Sequence, residues 1–239
     1  MLEIKELNKT FGKFKAVNNL NLSIGNGELF GFLGPNGAGK TTTIKMITGL
    51  LSSDSGSITV NGFDISKDDI EIKRITGYIP DQPFLYDKLS GKEFLFFTGG
   101  LFSIEKKQLK QKVEEVIEVF KLGDWVNKKT EDYSQGMRQR ISFASSFLND
   151  PKLLVIDEPM VGLDPQSAHI IKNILKKESE KGTTIFMSTH SLHIAEEICS
   201  RVGIINHGQM IFDDKMTNLK ELKKENNKDL ENLFLELTV

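Results

Sequence analysis

Residues 34–41 read GPNGAGKT and follow the apolar run Leu29-Phe30-Gly31-Phe32-Leu33. A polyphosphate is a dense cluster of negative oxygens, so binding it takes many donors at close range. The G-x-x-x-x-G-K-[ST] spacing supplies them. Gly34, Gly37 and Gly39 allow positive φ and bring backbone N–H groups against the oxygens, with Pro35, Asn36 and Ala38 completing the cradle. The helical pattern from Thr41 to Leu50 starts with Thr41 and Thr42, and points its positive end at the same place. Lys40 can reach the β- and γ-phosphates, and the Thr41 hydroxyl can ligate Mg2+.

Further along, LLVIDE at 153–158 puts two carboxylates at the end of an apolar run. In a parallel α/β sheet, ligands gather beyond the carboxyl ends of the strands, where the glycine loop must also lie. Asp157 can hold Mg2+ there. Glu158 can take a proton from, or orient, a water that attacks the γ-phosphate. YSQGM at 133–137 opens another helix, with Ser134 at the N-cap, Gln135 after it, and Gly136 offering no side chain to obstruct close approach. A capped helix N-terminus is a second anion site.

The elements that must position these residues follow from pattern. Leu2–Leu7, Leu20–Ile24, Leu29–Leu33 and Ser57–Val60 read as strands, and the short connections favour antiparallel pairing among the outer ones. A short strand, Ile75–Ile79, stops at Pro80. Gly91–Phe102, Glu105–Phe120 and Gln135–Leu148 read as helices, with Gly99-Gly100 weakening the first. The run 153–156, Thr184–Met187 and Val202–Ile205 are apolar enough for strands buried on both faces, separated by helices Gln166–Glu180 and Leu192–Cys199. That βαβ alternation predicts a mostly parallel sheet. The fold class is therefore α/β, with a P-loop NTPase core, an N-terminal antiparallel β subdomain and an inserted α-helical subdomain. The expected division is 1–83 and 149–214 for the core, 84–148 for the helical subdomain, and 215–239 for a short C-terminal extension holding a small helix and a final strand.

Composition narrows the function. The chain of 239 residues has a net charge of −2 and sequence pI near 6.1, which gives no support to a nucleic-acid partner. The lysines from Lys106 to Lys112, beside Glu114, Glu115 and Glu118, suggest a solvated helix face with i,i+4 pairing. Cys199 is the sole cysteine, excluding an internal disulfide and a cysteine zinc site; a small core residue is expected there. No apolar run reaches the roughly 18 residues needed to span a bilayer, and the N-terminus has no apolar signal region, so a cytosolic protein is expected.

The order GPNGAGKT, YSQGMRQR, LLVIDEP, GLDP and STH resembles the ATP-binding subunits of ABC transporters along the whole chain. The YSQGM form is most similar to single-domain ATPases that serve separate export permeases, and the closing ENLFLELTV resembles the ending of such subunits, a complete chain without an added regulatory domain. The resemblance implies an ATPase that uses ATP and Mg2+, bound peripherally at the cytoplasmic face of the membrane. It implies a homodimer in which Ser134 and Gly136 contact the γ-phosphate of the ATP held by the partner copy, and Asp164 crosses the interface. His190 matches a histidine that senses the γ-phosphate, and Phe11 matches an aromatic that stacks on adenine, with Phe14 as the rival. Where the family places a glutamine that ligates Mg2+, this chain has Asp81 followed by Gln82, and either can serve. A permease helix would enter a groove near Phe84, Leu85 and Tyr86. The alternative function is a nucleotide-gated regulator of a partner protein.

Overall fold

The computed structural model describes residues 1–160 and 162–226. The strand expected near the C-terminus, in 227–239, lies outside the described residues. The chain begins with β1 (Leu2–Phe11), β2 (Phe14–Ile24) and β3 (Leu29–Leu33), then α1 (Lys40–Ile47), β4 (Ser55–Val60), β5 (Phe63–Asp64), α2 (Asp69–Ile75) and β6 (Thr76–Ile79). Three helices follow, α3 (Gly91–Leu101), α4 (Lys106–Val119) and α5 (Gln135–Ser146). The remainder is β7 (Leu153–Asp157), α6 (Pro165–Glu180), β8 (Thr184–Thr189), α7 (Leu192–Ile198), β9 (Arg201–Asn206), β10 (Gln209–Lys215) and α8 (Met216–Asn226).

Four strands form an antiparallel sheet in the order β2-β1-β4-β5, and six form a second sheet in the order β10-β9-β3-β8-β7-β6. In the second sheet every pairing is parallel except that of β10 with β9. The period of two along a strand explains why its central members are apolar throughout. Phe30, Phe32, Leu153, Val155 and Phe186 face the antiparallel sheet and α1, meeting Leu2, Ile4, Leu20 and Ile44. Leu29, Leu33, Leu154, Ile156, Ile185 and Met187 face the helices, among them Phe143, Ile171 and Leu175. Both faces are covered, so no position on β7 can be polar until the strand ends at Asp157. Each such side chain taken from water contributes about 1.5–3 kcal/mol.

The helical layer is built from local signals. Ser90 and Glu93 form a reciprocal capping box that starts α3. Gly99, expected to weaken this helix, instead lets α4 approach: a Cβ there would sit 2.1 Å from Leu109 Cδ1. The charges of α4 pair between elements rather than along the helix, Lys92 with Glu114 at 2.8 Å and Lys112 with Asp150. Three of these elements had no counterpart in the sequence reading, the two-residue β5, α2 and β10. Cys199 is buried as expected and occupies the space that Gly31 leaves open, where a Cβ would come 2.8 Å from its Sγ.

Candidate functional site

The loop from Gly34 to Gly39 joins the carboxyl end of β3 to the first turn of α1. Its glycines are required for different reasons. Gly37 and Gly39 have φ of 81° and 110°, in the region that favours glycine. Gly34 does not have positive φ; it is needed because a Cβ there would lie 2.4 Å from the carbonyl oxygen of Ile205. Thus only two of the three glycines expected to turn left-handed do so. Lys40 is buried and folds back over the loop, donating to Gly34 O at 2.7 Å and Pro35 O at 3.2 Å. Burial pushes its ammonium below the ordinary lysine value, and the Glu158 and Asp157 carboxylates push back. Thr41 is exposed and Thr42 half-buried at the start of α1, while Thr43 Oγ1 returns a hydrogen bond to Gly39 O at 3.0 Å.

Asp157 and Glu158 end β7 beside this loop. Asp157 is buried and accepts a hydrogen bond from Ser188 Oγ at 2.5 Å, across the β7–β8 register that sets the two residues opposite each other. Glu158 leaves the strand with φ 49°, an uncommon backbone for a residue with a side chain. The turn changes where its carboxylate goes. One oxygen lies 3.9 Å from Lys40 Nζ, and the other 3.0 Å from His190 Nδ1 and 3.4 Å from His190 N. The Glu158 N–H is held by Ser188 through O at 3.2 Å and Oγ at 3.3 Å. Four of the sequence-derived residues, Lys40, Asp157, Glu158 and His190, therefore form one contiguous polar group at the carboxyl edge of the sheet.

Ser188 was not foreseen. It stands two residues before His190 on a fully buried strand, and a hydroxyl in such a run was the available signal. Tyr78 on β6 is the other omission. Its phenol is raised from its ordinary value first by burial and then by the Asp157 and Asp81 carboxylates. Both Asp81 and Gln82 are exposed just past β6. Among the described residues no group of three or more His, Cys, Asp or Glu is gathered for a metal. The donors present are hard oxygens, from Asp157, Thr41 and Asp81 or Gln82, which suit Mg2+ shared with phosphate oxygens.

A second group forms on α5 and α6. Ser134 caps α5 by accepting from Met137 N at 3.3 Å. Asp164 caps α6 by accepting from Gln166 N and Ser167 N, each at 3.0 Å, and from Ser167 Oγ at 2.6 Å. Those bonds, led by Ser167, hold its carboxyl below the usual range. Gly136 lies against Asp164, so the structure joins Ser134, Gln135, Gly136 and Asp164 within one chain.

The aromatic candidates also resolve. Phe11 and Phe14 pair across the tip of the β1–β2 hairpin, both exposed, with Lys9 Nζ 5.7 Å from the Phe11 ring centre. Of the expected groove residues, Phe84 is 76% exposed and Tyr86 46%, but Leu85 is 3% exposed and belongs to the core. Its place beside the aromatics is taken by Phe97, whose ring centre is 5.1 Å from that of Tyr86. Leu85 is apolar and follows the chain's turn inward, so the surface there is narrower than the sequence suggested.

Residues 17–161 match the family model described as ABC transporter. The chain is 39% identical to the linearmycin resistance ATP-binding protein LnrL of Bacillus subtilis, over 92% of its own length and 70% of that protein's. It is 34% identical to the ABC transporter ATP-binding protein NatA of the same organism, over 92% of its length and 89% of the relative's. Among solved structures it is similar to an ATP-binding subunit of an ABC transporter, with TM-score 0.90 and 29% identity over 99% of both chains. It is also similar to a dimeric ATP-binding cassette in a post-hydrolysis state bound to ADP and Pi, with TM-score 0.82 and 25% identity over 90% of this chain and 99% of that one.

Proposed function

The chain belongs to the ABC transporter family as an ATP-binding, ATP-hydrolysing subunit, and from that premise we propose that it drives export through a separate permease by ATP-dependent pairing of two copies. The observation that carries this reading is Glu158, held between Lys40 and His190 beside the glycine loop. ATP would lie with its phosphates along Gly34–Thr42 and its base against Phe11, or Phe14 beside it. Mg2+, when bound, offsets phosphate charge; Thr41, Asp157 and Asp81 or Gln82 would hold it. Water attacks the γ-phosphorus in line with the leaving oxygen of ADP. Glu158 orients that water and takes up its proton, while His190, whose backbone N–H donates to Glu158 at 3.4 Å and whose Nδ1 lies 3.0 Å from the same oxygen, stands beside the γ-phosphate. Lys40 neutralises the β- and γ-oxygens, so catalysis comes from positioning and charge rather than a covalent intermediate.

Ser134 and Gly136 of the second copy would close over the same γ-phosphate, with Asp164 crossing between copies. Dimeric relatives support this arrangement. A relative named for linearmycin resistance fits outward transport. No helix among the described residues is long and apolar enough to cross a membrane. In the proposed arrangement the route lies in another chain, on which this one rests at the cytoplasmic face. The exposed Phe84, Tyr86 and Phe97 offer that chain an apolar face for an amphipathic helix. In this reading 1–83 and 149–214 work as the core, 84–148 as a helical unit and 215–239 as an extension.

The test is Glu158→Gln. The variant should bind ATP, lose nearly all turnover and form an ATP-dependent dimer by light scattering; near-normal steady-state hydrolysis would overturn the role. Phe84→Ser with Tyr86→Ser should abolish transport in vesicles holding the co-purified permease while basal ATPase persists. Unchanged transport would remove the aromatic face from the proposal.

A further inference from the structure

Strands β9 and β10 are joined by two residues, His207 and Gly208, with φ of 46° and 77°. Left-handed backbone at both positions is the type I′ geometry of a tight hairpin. The ladder closes on Asn206 and Gln209, so the N–H and C=O of Gly208 are left without partners inside the hairpin. Gly208 is buried, and a buried backbone group needs a partner. Both partners come from other elements. The Gly208 N–H donates to Ala38 O in the glycine loop at 3.0 Å, and its carbonyl accepts from Asn18 N on β2 at 2.8 Å. The same junction has no room for a side chain. A Cβ on Gly208 would lie 2.9 Å from Ala16 O and 3.0 Å from Val17 Cα, and a Cβ on Gly39 would lie 2.3 Å from that Ala16 oxygen. One carbonyl of β2 is thus packed between a glycine of the hairpin turn and a glycine of the phosphate loop.

We infer that Gly208 is a positioning residue, which fixes β2 against the glycine loop and so sets the distance between the base and phosphate subsites of a nucleotide. The contacts run between backbone atoms, so they have none of the slack of a rotatable side chain. Phe14 stands two residues before Ala16 on β2 and pairs with Phe11, so a displacement of β2 carries both rings with it. The consequence rests on the reading above that the base lies against Phe11 or Phe14. A base and its phosphates are joined by one ribose of limited reach, and both ends bind fully only where the two subsites are held at the matching distance. A Cβ at Gly208 acts as a wedge that drives β2 from the turn while the bond to Ala38 persists. Affinity for ligands that carry a base then falls, and affinity for phosphates alone is spared.

The experiment compares ADP with inorganic pyrophosphate, each with Mg2+, by isothermal titration calorimetry on the whole chain; it needs neither hydrolysis nor a dimer. Gly208→Ala should weaken ADP about 10-fold, the scale of one base–aromatic stack, and pyrophosphate by less than about 2-fold. Asparagine tolerates left-handed backbone, so Gly208→Asn carries the same wedge with less strain and should show the same selective loss even where the alanine variant folds poorly. The Asn61-Gly62 turn between β4 and β5 supplies the control. It too is left-handed at both residues, with φ of 51° and 86°, but a Cβ on Gly62 meets nothing within 4 Å. Gly62→Ala should therefore leave both affinities unchanged. Equal losses of ADP and pyrophosphate in the Gly208 variants, no loss of either, or the selective loss in Gly62→Ala as well would overturn the inference. The base reading fails in a different way: Phe11→Ala combined with Phe14→Ala would then bind ADP as tightly as wild type.

Discussion

Ser188→Ala isolates the anchoring of the Asp157 and Glu158 end of β7. Ser188 is fully buried and Asp157 is 4% exposed, so water cannot replace the lost hydroxyl at Asp157. The bond removed, 2.5 Å from Oγ to Oδ1, is short and charge-assisted. Leaving a buried charged acceptor without it costs about 2–3 kcal/mol. The second bond lost, from Glu158 N at 3.3 Å, matters less to stability because the same N–H still reaches Ser188 O at 3.2 Å. A loss of 2–3 kcal/mol lowers the folded-to-unfolded ratio roughly 30- to 160-fold. At a urea slope of about 2.5 kcal/mol/M, the unfolding midpoint should fall by about 1 M. The assay is urea unfolding of wild type, Ser188→Ala, Asp157→Asn and the double variant. A coupling of at least about 1.5 kcal/mol is expected between the two positions, since they share one bond. Turnover of Ser188→Ala should drop about 10-fold, because the turn that aims Glu158 loses an anchor. A midpoint within about 0.2 M of the parent, or losses additive to about 0.5 kcal/mol, would falsify the anchoring argument.

The glycine loop should tolerate alanine unevenly. Gly39→Ala combines left-handed backbone with a Cβ 2.3 Å from Ala16 O and should cost about 2–5 kcal/mol, while Gly37→Ala meets open space and should cost about 1–2 kcal/mol. Equal shifts in thermal unfolding would contradict that ranking. Burial raises the Cys199 thiol above its ordinary value, so its stabilising contribution is intact below the unfolded value of about 8.5 and is lost as pH climbs toward the raised folded value. The stability gap between wild type and Cys199→Ala should therefore shrink by about 1.4 kcal/mol between pH 7 and pH 9.5; a gap constant with pH would refute it. The same thiol should resist alkylation until denaturant is added, with one thiol per chain then reacting.

Much of the scaffold was legible because its strongest signals are binary. A strand such as LLVID, covered on both faces, has no choice but to be apolar, and the first polar residue marks its end. Gly34–Thr41 and Ser134 were readable from spacing for a similar reason: each follows or caps an element whose pattern is plain, whereas His190 came from the family resemblance. β10 was missed because it is an edge strand with alternating half-exposed residues, QMIFDDK, whose Asp213 is held by Arg201 at 2.7 Å rather than by burial. Helix α2 was missed because only Ile72 of its seven residues is buried, leaving no apolar stripe to count. Ser188 escaped notice because its importance lies in register: only the alignment of β7 with β8 sets it opposite Asp157. Leu85 was placed on the surface by its aromatic neighbours, whereas the chain turns it inward beside Ile79 and Leu95. The division of labour among the loop glycines was equally hidden, since what excludes a side chain at Gly34 is a carbonyl at Ile205, far along the chain.

The parallel pairing of β3 bears on how the chain is made. Leu29 pairs with Ile185 and Phe30 with Arg201, so the strand that backs the glycine loop has both its neighbours more than 150 residues downstream. On a ribosome adding about 5–20 residues per second, the loop waits roughly 8–30 s before its flanking strands exist. Until then the apolar run Leu29–Leu33 has no sheet to join, and it is a natural site for a chaperone to hold. Nucleotide affinity thus arrives late in synthesis: a nascent chain gains it only after nearly all of the core has left the ribosome.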